Sequence, residues 1–98
     1  MLIALLEDDE AMAGLLKASL SAAGYRVIHF ATGAAFRKGV AARLPALAII
    51  DRLLPDDDGI SVLSWYRAQV NAATPVLFAS AMDAEVDIVA ALDAGADD

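Results

Sequence analysis

The sequence alternates four times between a short apolar segment and a longer segment with helical periodicity. The apolar segments lie at residues 2–6, 25–30, 46–50 and 75–80, and we predict a β-strand at each. A predicted helix follows every strand, which gives the order β-α-β-α-β-α-β-α. Strands that are separated by helices pair in parallel, with right-handed crossovers and helices on both faces of the sheet. We therefore predict an α/β fold with a doubly wound parallel sheet.

The four helical segments carry apolar residues at spacings of three and four, which predict the faces that pack on the sheet. The expected core-facing residues are Met12, Leu15, Leu16 and Leu20 in the first helix, Phe36, Val40 and Leu44 in the second, and Ile60, Leu63 and Tyr66 in the third. We expect Gly24 to terminate the first helix, Thr32 and Gly33 to begin the second, and Gly95 to end the fourth.

Charge and composition exclude several classes of function. The 98 residues carry a net charge of -7 with no run of lysine or arginine, which argues against a nucleic-acid or anionic-membrane surface. The chain has no cysteine, so a disulfide or a cysteine-ligated metal is excluded. No segment reaches the roughly 20 apolar residues of a membrane span. We expect one acidic, soluble, cytoplasmic domain.

Polar side chains follow three of the four predicted strands. Glu7 and Asp8 follow the first strand, Asp51 follows the third and Ser80 ends the fourth, whereas the second strand ends in Phe30. Ligands of open parallel sheets bind beyond the carboxyl ends of the strands, where the strand order reverses. If the first, third and fourth strands are neighbours, these four side chains converge on one edge of the sheet.

Three convergent carboxylates require either a bound proton or a cation. Two unit charges 4 Å apart repel by roughly 4 kcal/mol at an effective dielectric constant of 20. Oxygen ligands without histidine or cysteine favour a hard cation, and Mg²⁺ also accepts phosphate oxygens as ligands. The pattern therefore predicts a Mg²⁺ site beside a free carboxylate, which is suited to phosphoryl transfer onto that carboxylate.

Four motifs together resemble one known family, the receiver domains of two-component response regulators. They are LLEDDE at residues 5–10, AIIDRLLPDDDG at 48–59, PVLFASAMD at 75–83 and DAGADD at 93–98. The resemblance spans the whole chain and implies a flavodoxin-like strand order 2-1-3-4-5. The family pattern continues into a fifth strand, which bears a lysine, and a fifth helix. We therefore expect residues 1–98 to be a receiver domain that lacks its last strand and helix, and we expect the uncovered edge to promote self-association.

The resemblance also implies roles for individual residues. Asp51 matches the phospho-acceptor, and Glu7 and Asp8 match the acidic pair that binds Mg²⁺, Asp8 directly and Glu7 mainly through water. The backbone carbonyl of Leu53 would be a further ligand, and the hydroxyl of Ser80 would turn toward the phosphoryl group.

The implied function is that of a signalling switch. A sensor histidine kinase or a phosphotransfer protein would donate a phosphoryl group from phosphohistidine to Asp51. The resulting acyl phosphate would alter the conformation and then hydrolyse. Such a domain phosphorylates and dephosphorylates itself rather than turning over a substrate.

Two other functions are compatible with parts of the pattern. The absence of the family lysine would suit a receiver-like interaction module that is not phosphorylated. A Mg²⁺-dependent phosphohydrolase with an aspartate nucleophile would need a second acid two residues after Asp51, where this chain has Leu53.

Other polar residues are expected to be structural. Asp9 and Glu10 suit the first turn of a helix, where acids gain about 0.3–1 kcal/mol from the helix dipole. We interpret residues 56–58, three consecutive aspartates, as a solvated loop rather than a second metal site. His29 is a single histidine on a strand, and we interpret it as structural.

Overall fold

The computed structural model describes residues 1–51, 54 and 56–79 of the chain. Its elements in chain order are β1 (Leu2–Leu6), α1 (Glu10–Ala22), β2 (Arg26–Phe30), α2 (Gly33–Ala42), β3 (Leu47–Asp51), α3 (Gly59–Gln69) and β4 (Val76–Ala79). Each predicted strand is present, with ends that differ from the prediction by at most one residue. The predicted fourth helix, which was expected to end at Gly95, lies outside the described residues.

The four strands form one parallel sheet in the order β2-β1-β3-β4. β1 pairs with β2 on one side and with β3 on the other, so the strand order reverses at β1 and β3. This order matches the first four strands of the predicted flavodoxin-like order 2-1-3-4-5. The predicted α/β fold is confirmed.

Side chains alternate along β1 and β3 and supply a separate apolar core on each face of the sheet. On one face, α1 packs against alternate strand residues through Ala13, Leu16 and Leu20. The strand residues of that core are Ile3, Leu5, Leu47 and Ile49. On the other face, α2 and α3 pack on Ala4, Leu6, Ala48 and Ile50 through Phe36, Val40, Val62 and Tyr66. The side chains of β1 and β3 are therefore buried on both faces of the sheet. Burying one such Leu or Ile side chain stabilises the fold by roughly 1.5–3 kcal/mol.

The helix ends follow from local chemistry. The Asp9 side chain caps α1 by accepting hydrogen bonds from the amides of Ala11 and Met12. Two residues after α1, Gly24 adopts φ +98°, a conformation that glycine accepts at little cost, and the chain then turns into β2. Thr32 caps α2 through a hydrogen bond from the amide of Ala35. The predictions for Gly24 and Thr32 are confirmed.

Three of the predicted core-facing residues are exposed. Leu15 is 58% exposed, Leu44 is 53% exposed and Ile60 is 42% exposed. In α3 the buried residues are Gly59, Val62 and Tyr66, so the buried face includes Tyr66 as predicted but otherwise begins one residue earlier than the predicted face. Leu44 lies beyond Ala42, where α2 ends, so it cannot extend the apolar face of that helix. Apolar residues at spacings of three and four can mark more than one face of a helix. Which of these faces is buried depends on how the helix packs on the sheet.

Within the described part of the chain, no helix has the length and apolar content that a membrane crossing requires.

Candidate functional site

The carboxyl ends of β1 and β3 bring three acidic side chains together. Leu6 pairs with Ile50 in the parallel register, so Glu7 and Asp51 are the next residues on neighbouring strands. One carboxylate oxygen from each of Glu7, Asp8 and Asp51 lies within 4.8 Å of the others. The convergence expected from the sequence is therefore present for these three residues, which we call the acidic cluster.

Glu7 is the buried member of the acidic cluster. Its exposed fraction is 6%, while Asp51 is half-buried and Asp8 is exposed. Burial raises the pKa of Glu7 to about 8, and a hydrogen bond and charge repulsion from Asp51 act in the same direction. The amide of Asp9, which donates to Glu7 Oε2 at 3.2 Å, opposes the rise in pKa only in part. Without a cation the cluster therefore retains a proton at neutral pH.

The residues around Glu7 hold the turn from β1 into α1 in place. The Glu7 amide donates to the carbonyl oxygen of Phe30 at 3.0 Å, which extends the pairing between β1 and β2. Asp9 Oδ1 accepts from Ala11 at 2.9 Å and from Met12 at 3.1 Å. Asp9, which was expected in the first turn of the helix, is instead its N-cap residue, whereas Glu10 lies in the first turn of α1 as expected. Of the four acids at residues 7–10, two belong to the cluster and two to the helix.

Oxygen ligands in this arrangement suit a divalent cation. The acidic cluster offers one oxygen from each of three carboxylates, and Glu7 would exchange its proton for the positive charge. Of the five residues predicted for the site, the structure brings together Glu7, Asp8 and Asp51. Leu53 and Ser80 lie outside the described residues.

The three aspartates at residues 56–58 hold two helices in place, and the interpretation of this segment as a merely solvated loop was incomplete. Asp56 accepts hydrogen bonds from the first amides of α2, those of Gly33 at 3.0 Å and Ala34 at 3.3 Å. Asp57 pairs with Arg37 of α2 at 2.7 Å. Asp58 caps α3 by accepting from the amide of Ile60 at 3.0 Å. The loop after β3 is thereby tied to α2, a relationship between distant residues that has no signal in local sequence.

Arg37 and His29 are two further polar residues whose partners the sequence did not reveal. The guanidinium of Arg37 lies over the ring of Trp65 at 5.1 Å while it contacts Asp57, so α2, α3 and the loop share one polar contact. The hydrogen bond between Arg37 and Asp57 holds the pKa of Asp57 below its usual range. His29 Nε2 donates to the backbone carbonyl of Glu7 at 2.8 Å. This contact is consistent with the prediction that His29 is structural. It is made with the backbone of Glu7, a member of the acidic cluster.

Comparison with known families gives one match over almost the entire chain. The response regulator receiver domain family matches residues 3–98. The chain belongs to this family. As a receiver domain it is a phosphorylation-dependent switch of two-component signalling, and such domains generally bind Mg²⁺ at an acidic pocket. The family resemblance inferred from the sequence motifs is confirmed.

Individual relatives support the same assignment. This receiver domain is 40% identical over 97 residues to the transcriptional regulatory protein GltR of Pseudomonas aeruginosa, covering 98% of the chain and 40% of that protein. It is 40% identical over 96 residues to the KDP operon transcriptional regulatory protein KdpE of Escherichia coli, covering 98% of the chain and 42% of that protein. The chain thus spans about two fifths of the length of these relatives.

A solved structure agrees with the fold. A putative response regulator from Chloroflexus aurantiacus superposes on this receiver domain with a TM-score of 0.79 at 30% identity. The match covers 99% of this chain and 80% of the other.

Proposed function

We propose that this receiver domain accepts a phosphoryl group on the carboxylate of Asp51. The supporting observation is the acidic cluster, in which Asp51 ends β3 beside Glu7 and Asp8. Asp51 is half-buried and Asp8 is exposed, so the cluster is accessible from solvent, as transfer from a phosphodonor requires. Glu7 is buried, so its carboxylate is less accessible to a phosphodonor than that of Asp51.

Asp8 and Asp51 would hold Mg²⁺, Glu7 would act mainly through a water, and the Leu53 carbonyl would be a further ligand. The cation would neutralise negative charge on the transferring phosphoryl group. The chain's own contribution is to hold three carboxylates at the end of two rigid strands. Burial of Glu7 disfavours its free anion, so the cluster is electrostatically poised for a positive charge.

The proposed reaction moves one phosphoryl group between two side chains. A carboxylate oxygen of Asp51 attacks phosphorus and a P–O bond forms. The P–N bond of the phosphohistidine donor breaks, and because the donor ring is protonated on its other nitrogen it leaves as neutral imidazole. Attack of water on the same phosphorus later releases inorganic phosphate and restores the Asp51 carboxylate. We propose that the Ser80 hydroxyl binds the phosphoryl oxygens and transmits the change of state.

The donor would be a sensor histidine kinase or a phosphotransfer protein in the cytoplasm. The relatives named above are transcriptional regulatory proteins, and we propose control of transcription as the output of this switch. The net charge of -7 opposes direct contact between these residues and nucleic acid.

Intact-mass spectrometry tests the proposal directly. The chain is incubated with acetyl phosphate and Mg²⁺, beside an Asp51→Asn variant and an Asp56→Asn control from the following loop. We expect one phosphoryl adduct in the wild type and in the control, and none in Asp51→Asn. Absence of an adduct on the folded wild-type chain would refute the proposal and favour an interaction module that is not phosphorylated.

A further inference from the structure

His29 contacts the backbone of the acidic cluster from the neighbouring strand. It lies on β2 opposite Leu5 of β1, and its ring is half-buried. The Nε2–H group of His29 donates to the carbonyl oxygen of Glu7 at 2.8 Å. A carbonyl oxygen only accepts hydrogen bonds, so Nε2 carries the proton in this contact.

The hydrogen bond holds a carbonyl at the point where regular strand pairing stops. The register of β1 with β2 ends at Leu6 and Phe30. The Glu7 amide still donates to the Phe30 carbonyl at 3.0 Å, while the Glu7 carbonyl receives the side chain of His29. The backbone N–H and C=O groups of Glu7, the residue before Asp8, are thus both hydrogen-bonded to residues of β2.

We propose that His29 is a positioning residue for the cation site. By binding the Glu7 carbonyl it fixes the peptide group that joins Glu7 to Asp8, and so fixes the directions in which both carboxylates leave the chain. The inference rests on the proposed function, since it assumes that these carboxylates hold Mg²⁺. Groups that orient metal ligands commonly alter metal affinity without touching the metal.

Two substitutions separate the hydrogen bond from the bulk of the ring. His29→Leu removes the donor, whereas His29→Gln keeps an N–H donor at similar reach. The Mg²⁺ dissociation constant of each folded variant is measured by titration calorimetry, with Mg²⁺ alone as the ligand. Loss of one hydrogen bond predicts roughly three- to tenfold weaker binding for His29→Leu. We expect His29→Gln to bind within about twofold of wild type.

The outcomes distinguish this inference from the proposed cation site. If the wild type binds Mg²⁺ and His29→Leu binds it equally well, the positioning role is refuted. Equal weakening in both folded variants would also refute it, because the donor would then not be the operative feature. If the wild type itself does not bind Mg²⁺, the proposed cation site fails and the inference fails with it.

A second measurement covers the case in which His29→Leu does not fold. Imidazole ¹⁵N NMR of the wild type reports whether Nε2 is protonated and whether its resonance moves during Mg²⁺ titration. We expect a protonated Nε2 whose shift follows the calorimetric binding curve. An unprotonated Nε2, or a resonance that ignores saturating Mg²⁺, would overturn the proposal.

Discussion

The carboxyl groups of Glu7 and Asp51 lie side by side at the ends of β1 and β3, with one oxygen of each within 4.8 Å of the other. The two strands place these residues side by side, and burial of Glu7 then makes its ionisation unfavourable. The arrangement costs stability whenever both groups are charged. That cost is the physical reason for expecting the cluster to respond to pH and to divalent cations.

The first prediction concerns the pH dependence of stability without metal. The pKa of Glu7 is about 8 in the folded chain against an ordinary 4.5. The folded state therefore binds this proton more tightly than the unfolded state does, and stability falls as pH rises from 4.5 toward 8. Between about pH 6 and 8.5 we expect Glu7 to account for at least about 1 kcal/mol of lost stability. Urea denaturation of metal-free protein measures this loss.

Glu7→Gln should flatten that pH dependence, and it should be more stable than wild type at pH 8.5. Glu10→Gln makes the same change of charge at an exposed position on α1 and serves as the control. Millimolar Mg²⁺ should stabilise the wild type at pH 8.5 more than it stabilises Glu7→Gln, which retains Asp8 and Asp51 but lacks one of the three carboxylates. A wild-type stability that is constant from pH 6 to 8.5 would contradict the raised pKa.

The second prediction compares two glycines in helices. A Cβ atom on Gly39 of α2 would lie 2.3 Å from ring atoms of Phe30, whereas one on Gly14 of α1 would meet nothing within 4 Å. Gly14→Ala should stabilise the chain by about 0.5–1 kcal/mol through helix propensity. Gly39→Ala should destabilise it by about 1–3 kcal/mol because the aromatic ring must move. Thermal denaturation of the two variants checks this, and equal shifts of the same sign would contradict the packing of α2 against β2.

The third prediction concerns the pair formed by Arg37 and Asp57. Both side chains are partly exposed, and the contact at 2.7 Å is supported by the Trp65 ring. A double-mutant cycle with Arg37→Met and Asp57→Asn should give a coupling energy of about 0.5–1 kcal/mol at pH 7. Arg37 lowers the pKa of Asp57 below its ordinary 3.8, so the coupling should persist at pH 5 and disappear as Asp57 is protonated at lower pH. A coupling that is unchanged at pH 2 would show that the contact is not electrostatic.

The fourth prediction concerns a buried hydrogen bond beneath α3. Tyr66 is fully buried, and its hydroxyl donates to Thr74 Oγ1 at 2.9 Å. Thr74→Val removes the acceptor and leaves the tyrosine hydroxyl buried without it, which should cost about 1–3 kcal/mol. The double variant Tyr66→Phe with Thr74→Val removes both polar groups and should recover part of that loss. Chemical denaturation distinguishes the two, and a double variant less stable than Thr74→Val alone would contradict the account.

The sequence predicted the sheet because its signals are local. Strands such as residues 2–6 are uniformly apolar, and the acids Glu7 and Asp51 follow them directly, so parallel pairing suffices to bring these residues together. Which helix residues face the core was predicted less well. Leu15 and Ile60 fit an apolar stripe but are exposed, because the orientation of a helix on the sheet is decided by the complete packing.

Contacts between distant residues were beyond sequence reasoning. Asp57 reaches Arg37 and His29 reaches Glu7 only after β1, β2 and α2 are assembled. Neither pair has a characteristic spacing, since the partners are 20 and 22 residues apart. The contact of Asp56 with the first two amides of α2 likewise joins residues that are 23 and 22 positions apart.

The central claim is that Asp51, among three clustered carboxylates, receives the phosphoryl group. The most direct test is to phosphorylate the chain with acetyl phosphate and Mg²⁺, reduce the product with borohydride, and locate the modified residue by peptide mass spectrometry. Borohydride converts an aspartyl phosphate to homoserine, so the acceptor is marked in the sequence. We predict homoserine at position 51 and aspartate retained at position 8. Homoserine at position 8, or a phosphoryl adduct that persists in Asp51→Asn, would contradict this prediction.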